Sequence, residues 1–191
     1  MISPYYVFPN ALDKSACDSV LSHCLDVHKA NQQEGVLSGG KSNNDIRRSK
    51  ITWINNDKIH DNISKYAKIA NSAAFGFDLF DTINNVQFTE YSAEYEGTYN
   101  WHMDSWFRDN SSEYNTMNQR KLSVIVQLSS PNDYSGGEFL FKTGTEELND
   151  PSIREKGTII VFPSFILHKV NPVTSGIRHS LVSWILGPAF R

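Results

Sequence analysis

Apolar and polar positions run along this chain with two different periods. Leu12, Ala16, Val20, Leu21, Cys24, Leu25 and His28 recur at three- and four-residue intervals, the stripe of an amphipathic helix, with Asp13 placed as its cap. The same period returns from Asp57, read as a cap, to about Ala74, where Ile59, Ile63, Tyr66, Ala67 and Ala70 form one face. Between the two, polar Gln32 to Asn44 with Gly35, Gly39 and Gly40 predicts a loop, and Lys50 to Ile54 a short strand. From Asp81 the texture becomes that of strands: Val86–Tyr91, Thr98–Asp104, Leu122–Ser129, Gly137–Lys142, Gly157–Phe162, Ile166–Asn171 and Ile177–Leu186. Breakers separate them, among them Glu96-Gly97, Pro131-Asn132-Asp133, Gly136-Gly137 and Asn171-Pro172, and Gly136-Gly137 reads as a hairpin turn. Short strands at this spacing predict a sandwich or barrel. The expected architecture is mostly β with N-terminal helices in one domain, residues 1–191, with 1–80 a helical support and 81–191 the β core.

Composition narrows the partners. With 18 Lys and Arg against 21 Asp and Glu, the formal net charge of −3 gives no electrostatic reason to expect nucleic-acid binding. No apolar run approaches the roughly 20 residues of a membrane helix. Met1 to Pro9 has neither the basic lead nor the long apolar core of a secretory signal. A soluble, cytoplasmic protein without membrane partners is expected. Cys17 and Cys24 lie about 10.5 Å apart along the predicted helix, beyond the roughly 7 Å that a disulfide spans.

Three residues carry candidate chemistry. His102 and Asp104 sit at i and i+2 of a predicted strand, so their side chains share a face. His168 lies in another apolar strand, Phe165 to Val170. Two imidazoles and one carboxylate with open positions opposite form the facial set that suits a non-haem Fe(II) centre. Taken singly, His-x-Asp is common and each histidine is better explained as a structural residue. Arg178 and Ser180 share one face of the last predicted strand, and a buried Arg is costly unless an anion accompanies it. A carboxylate ligand would meet that need by bidentate pairing; a surface or ion-paired Arg is the plainer alternative.

Taken together, Tyr91, Tyr99-Asn100-Trp101-His102-Met103-Asp104, Leu122 to Leu128, Gly136-Gly137-Glu138-Phe139-Leu140-Phe141, Gly157 to Pro163, His168-Lys169-Val170 and Gly176-Ile177-Arg178-His179-Ser180 resemble the Fe(II)- and 2-oxoglutarate-dependent oxygenase superfamily. Within it the chain is most similar to the prolyl-4-hydroxylase-like group, including PKHD-type hydroxylases, over roughly residues 80–187. The resemblance implies a double-stranded β-helix, or jelly roll, with His102, Asp104 and His168 as metal ligands. It implies Fe(II), 2-oxoglutarate and O2 as the reactive partners, Arg178 as anchor of the distal carboxylate of 2-oxoglutarate, and Tyr91 and Ser180 as further cosubstrate contacts. It also implies hydroxylation of an unactivated C–H bond, with a prolyl residue of a peptide or protein as the favoured target. Collagen-type prolyl hydroxylases carry Lys where this chain has Arg178, which points toward the hypoxia-sensing and PKHD-like branches.

Three rivals stand beside this reading. One keeps the chemistry but takes a free amino acid or small metabolite as substrate; a cupin-like module would hold metal and ligand without turnover; a Zn(II) hydrolase would use the same three ligands but gives no reason for Arg178 and Ser180. Gln32 to Arg47 and the polar Ser105 to Gln119, with Trp106 and Phe107, are candidate lips or lids of the cleft. Trp184 reads as core and Glu138 as exposed or paired. Tyr99 and Trp101 suit either core or substrate pocket. His23, His28 and His60 read as surface residues, and His179 faces away from Arg178 by strand alternation.

Overall fold

The structure is a computed structural model of the chain and describes residues 4–36, 43–81, 85–105 and 119–189. In chain order the elements are β1 (Tyr6–Phe8), α1 (Lys14–Asn31), β2 (Gln33–Glu34), β3 (Arg47–Arg48), β4 (Lys50–Ile54) and α2 (Asp57–Ala70). There follow β5 (Val86–Ser92), β6 (Thr98–His102), β7 (Gln119–Gln127), β8 (Tyr134–Gly136), β9 (Phe139–Thr143) and β10 (Glu146–Leu148). The chain closes with β11 (Ile159–Pro163), β12 (Leu167–Val170) and the long β13 (Val173–Gly187). The predicted strands are all present with shifted ends. Besides its two helices, the N-terminal segment supplies four strands, which the apolar pattern left partly unread because three of them have only two or three residues.

The strands form two antiparallel sheets. The larger runs β1-β11-β7-β13-β5-β4-β2, with β8 joined to the start of β13; the smaller runs β10-β9-β12-β6-β3. From β5 onward the chain steps back and forth between the sheets, which is the double-stranded β-helix expected from the resemblance. The larger sheet is buried on both faces. Its outer face, with Leu122, Val124, Val126 and Leu181, packs under α1 and α2 through Cys24, Ile59, Ile63 and Ala67. Its inner face, with Tyr91, Ile125 and Phe162, meets Phe139, Phe141 and Val170 of the smaller sheet. This double burial explains why β7 reads as a nearly continuous apolar run rather than an alternation.

Local chemistry fixes the ends of the helices. The Asp13 carboxylate accepts the Ala16 N–H at 2.8 Å and caps α1. α2 is capped by Asn56, whose side chain accepts the Ile59 N–H, and not by Asp57. Asp57 is already helical, where its charge favours the positive end of the helix dipole. Gly136-Gly137 is likewise not a hairpin turn. β8 belongs with the larger sheet and β9 with the smaller, so the pair carries the chain from one sheet to the other. Both glycines have positive φ, and a Cβ on Gly136 would lie 2.2 Å from the Pro172 carbonyl oxygen.

His28 also departs from expectation: it is 4% exposed, not a surface residue. It continues the apolar stripe of α1 onto β4, where its Nδ1 bonds Thr52 Oγ1 at 2.7 Å, and its Nε2 lies 3.9 Å from Glu90. His179 faces the same side and approaches Glu90 at 3.3 Å. Cys17 and Cys24 are buried free thiols.

Candidate metal centre and the cleft around it

β6 and β12 lie side by side in the smaller sheet, and this pairing brings His102 opposite His168. The register then slips. His168 pairs with His102 but Val170 pairs with Tyr99, so β6 holds one more residue than β12 over the same stretch. This bulge at Asn100–Trp101 is fixed by the Asn100 side chain, which accepts the Trp101 N–H at 2.8 Å. It rephases the strand. Tyr99 and His102, three positions apart, now share the inner face and stack with ring centroids 3.4 Å apart. Trp101 is turned outward, where Lys169 stands 4.5 Å from its ring centre.

The strand ends at His102, so Asp104 does not reach its place by strand alternation as expected. Its backbone N–H donates to the Ser164 carbonyl at 2.8 Å, and its carboxylate accepts from Ser123 Oγ at 2.7 Å. Asp104 Oδ2 then lies 3.5 Å from His168 Nε2, and Oδ1 lies 3.8 Å from His102 Nε2. The three ligand atoms all fall within 4.8 Å of one another. Both imidazoles direct Nδ1 to a backbone carbonyl, His102 to Asn100 at 2.7 Å and His168 to Ile166 at 2.8 Å. That bond assigns the proton to Nδ1 and leaves each Nε2 lone pair aimed at the common point.

Electrostatics keep the cluster ready for a cation. Burial, with His168 close by, pushes the His102 imidazole down to about 3. Burial alone would raise the Asp104 carboxyl, but the two imidazoles and the Ser123 hydroxyl outweigh it and hold the group below its ordinary value. The Trp184 indole also favours the ionised Asp104, and its buried N–H has no other partner among the described residues. Trp184 is thus more than core: Arg120 lies 3.8 Å over its ring, and Arg120 Nη1 reaches the Asp104 carbonyl at 3.5 Å. Two imidazoles and one carboxylate are a donor set that fits Fe(II).

Arg178 projects from β13 into the space between the sheets and is 1% exposed. Nη2 donates to Gln127 Oε1 at 2.9 Å, while Nε and Nη1 are buried with no partner among the described residues. The Gln127 amide nitrogen and the Tyr134 hydroxyl are buried and unpartnered too. Tyr91 stands beside Arg178 across the strand pair, 5.5 Å from the guanidinium to the ring centre, and Ser180 is buried on the same face of β13. Burial raises the Tyr91 phenol, which stays protonated. Buried donors without a partner beside a guanidinium are the kind of surroundings that suit a carboxylate.

All six residues singled out from the sequence therefore face the interior between the sheets. Gln127, Ser123 and Tyr134 were missed. A glutamine and a serine inside the apolar run Leu122 to Leu128 were the available signal for two of them. Trp106, Phe107 and the rest of 106–118 lie outside the described residues, as do 37–42, so the two candidate lids are only partly described.

Fold and geometry together give a jelly roll with a candidate metal centre beside a buried guanidinium. The chain belongs to the 2OG-Fe(II) oxygenase superfamily, whose family model matches residues 86–186. That family implies Fe(II), 2-oxoglutarate and O2. A PKHD-type hydroxylase of Synechococcus sp. strain CC9902 is 38% identical over 89 residues, covering 46% of this chain and 35% of the relative. One from Prochlorococcus marinus strain NATL1A is 29% identical over 189 residues, covering 94% and 77%. Among solved structures, a Pseudomonas putida prolyl-4-hydroxylase superposes with a TM-score of 0.73 at 18% identity, covering 98% of this chain and 94% of that one. A Trichoplax adhaerens prolyl hydroxylase, in complex with a hypoxia inducible factor peptide fragment, gives 0.71 at 19% identity, covering 96% and 84%.

Proposed function

We propose that this chain hydroxylates an unactivated C–H bond of a prolyl residue in a peptide or protein, with His102, Asp104 and His168 holding Fe(II) and Arg178 anchoring 2-oxoglutarate. One observation carries the reading: three convergent metal-ligand atoms lie in the same interior as a guanidinium whose Nε and Nη1 have no acceptor among the described residues. The prolyl target is supported by the PKHD-type and prolyl-hydroxylase relatives. Two unpaired buried thiols suit a reducing, cytoplasmic setting. Among the described residues no helix is long and apolar enough to cross a membrane.

When bound, iron and 2-oxoglutarate supply the oxidising chemistry. The side chains do the positioning. His102 and His168 present Nε2 because Nδ1–H is committed to the Asn100 and Ile166 carbonyls. Ser123 and the Ser164 carbonyl fix Asp104. Arg178, with the Gln127 amide and the Tyr134 hydroxyl, would hold the distal carboxylate, with Tyr91 and Ser180 as further contacts. Phe139 and Phe162, packed against His168, keep that side of the centre dry. Trp53, 43% exposed beside Trp184, and Met103, 39% exposed next to both ligands, offer apolar surface to a pyrrolidine ring.

The test is succinate release with Fe(II), screened over proline-containing peptides and free amino acids. Succinate formation stimulated by a peptide, with a 16-dalton gain on proline, is the expected result. Stimulation by free amino acids alone overturns the peptide target, and no succinate under any condition overturns the chemistry.

A further inference from the structure

Arg47 is the second nearly buried guanidinium of the cleft, 7% exposed, and no part of the chemistry above uses it. It lies on β3 directly opposite Tyr99 of β6, so its side chain shares the inner face. Its guanidinium sits 4.6 Å over the Tyr99 ring, and that ring stacks on the metal ligand His102. The charge is felt in the site: Arg47 opposes protonation of His102 and favours ionisation of Tyr91 and Tyr99.

The surroundings hold this side chain in one pose. Nε donates to Ser49 Oγ at 2.8 Å and Nη1 to the Val36 carbonyl at 3.0 Å. Gly35 leaves room for it, because a Cβ there would lie 2.6 Å from Arg47 Nε and 2.3 Å from Ser49 Oγ. Nη2 has no hydrogen bond, and no carboxylate pairs with Arg47 among the described residues. A buried cation with only neutral partners is destabilising unless an anion joins it. The cofactors do not provide one. In the loaded site a metal dication would offset the 2-oxoglutarate dianion, and the single carboxylate Asp104, with Arg120 beside it, leaves none for Arg47. Arg47 stands outside that balance, held by two hydrogen bonds and with its Nη2 without one among the described residues.

We propose that Arg47 receives a carboxylate of the substrate, so that the protein selects prolyl substrates bearing a negative charge near the target ring. This rests on the dioxygenase reading above and adds the substrate class to it. Two sources have this chemistry, the free terminal carboxylate of a short prolyl compound and an acidic side chain flanking proline in a longer peptide. Arg120, near Asp104 and Tyr99, adds positive potential on the same side.

The test measures binding by calorimetry to the anaerobic Fe(II)–2-oxoglutarate protein, using N-acetylproline against N-acetylprolinamide, and acetyl-Ala-Pro-Asp-amide and acetyl-Asp-Pro-Ala-amide against their Asn counterparts. At least one carboxylate probe should bind about tenfold tighter than its neutral isostere, the scale of one charge-assisted hydrogen bond. The pair that discriminates names the source. In Arg47→Gln the ratio should fall to about one, while Arg47→Lys, which keeps the charge but cannot reproduce the bonds to Ser49 and Val36, should retain most of it. Equal affinity within every pair, no binding by any carboxylate probe, or a preference that survives Arg47→Gln overturns the inference. The Fe(II)–2-oxoglutarate charge-transfer absorption, recorded before any probe is added, separates the two readings. If it is present, a failed preference removes the carboxylate alone; if it is absent, both readings fall.

Discussion

Arg178 Nη2 donates a 2.9 Å hydrogen bond to Gln127 Oε1, and this is the one hydrogen bond the guanidinium makes among the described residues. Gln127 therefore orients the group, and Nε and Nη1 have no partner among the described residues. Arg178→Ala should weaken 2-oxoglutarate binding by about 2–5 kcal/mol, thirtyfold or more, the cost of removing one partner of a buried charged pair. Calorimetry with 2-oxoglutarate checks this, and unchanged affinity would remove Arg178 as the anchor.

His102→Ala and Asp104→Ala should each abolish succinate formation and Fe(II) binding. Chelation of the intact protein should do the same, reversed by added Fe(II). Ser123→Ala keeps all three ligands but frees Asp104, and should cost about 10–100-fold in metal affinity, as loss of a supporting hydrogen bond does. A metal titration of the three variants ranks them.

Stability should fall as the solution is acidified from about pH 6.5. Burial holds the His28 imidazole below its usual value, although Glu90 pulls the other way. The unfolded histidine takes up a proton near pH 6.5 and the folded one only at lower pH, so unfolding takes up protons in this window. His102, held down to about 3, acts in the same direction. Denaturant unfolding at pH 7.5 and 5.5 should show the loss, and His28→Gln, which can still bond Thr52, should flatten the slope.

Gly136→Ala should destabilise the fold by about 1–3 kcal/mol through its positive φ alone, with the Pro172 carbonyl only 2.2 Å from the new methyl adding to it. Gly137 next to it already confronts Arg178 Cδ at 3.3 Å from its own notional Cβ. The strain should therefore reach the carboxylate pocket, read as weaker 2-oxoglutarate binding in the folded variant.

Period and breakers were enough to place the two helices and the core strands, because burial on one stripe or one face writes itself into spacing. They were not enough for short edge strands such as β2 and β3, which carry no pattern of their own. The triad was legible as residue types, but its geometry was not. The sequence offers His102 and Asp104 as strand neighbours, whereas the bulge at Asn100 and the Ser164 carbonyl set their positions. His28 shows the same limit from the other side. A polar residue on an apolar stripe looks like a surface residue until Thr52, far along the chain, supplies its partner. Arg47 was noticed only for lying beside a loop, since nothing local reveals that Tyr99 lies beneath it.

His102, Asp104 and His168 ride on or beside the smaller sheet, whereas Arg178, Gln127 and Ser180 belong to the larger. On the proposed function, a cosubstrate touching both sets would act as a cross-tie between two layers otherwise joined largely by side-chain contact. Metal and 2-oxoglutarate together should raise the melting temperature and slow amide exchange in β6 and β12. At a hundred times the dissociation constant the gain approaches about 2.7 kcal/mol.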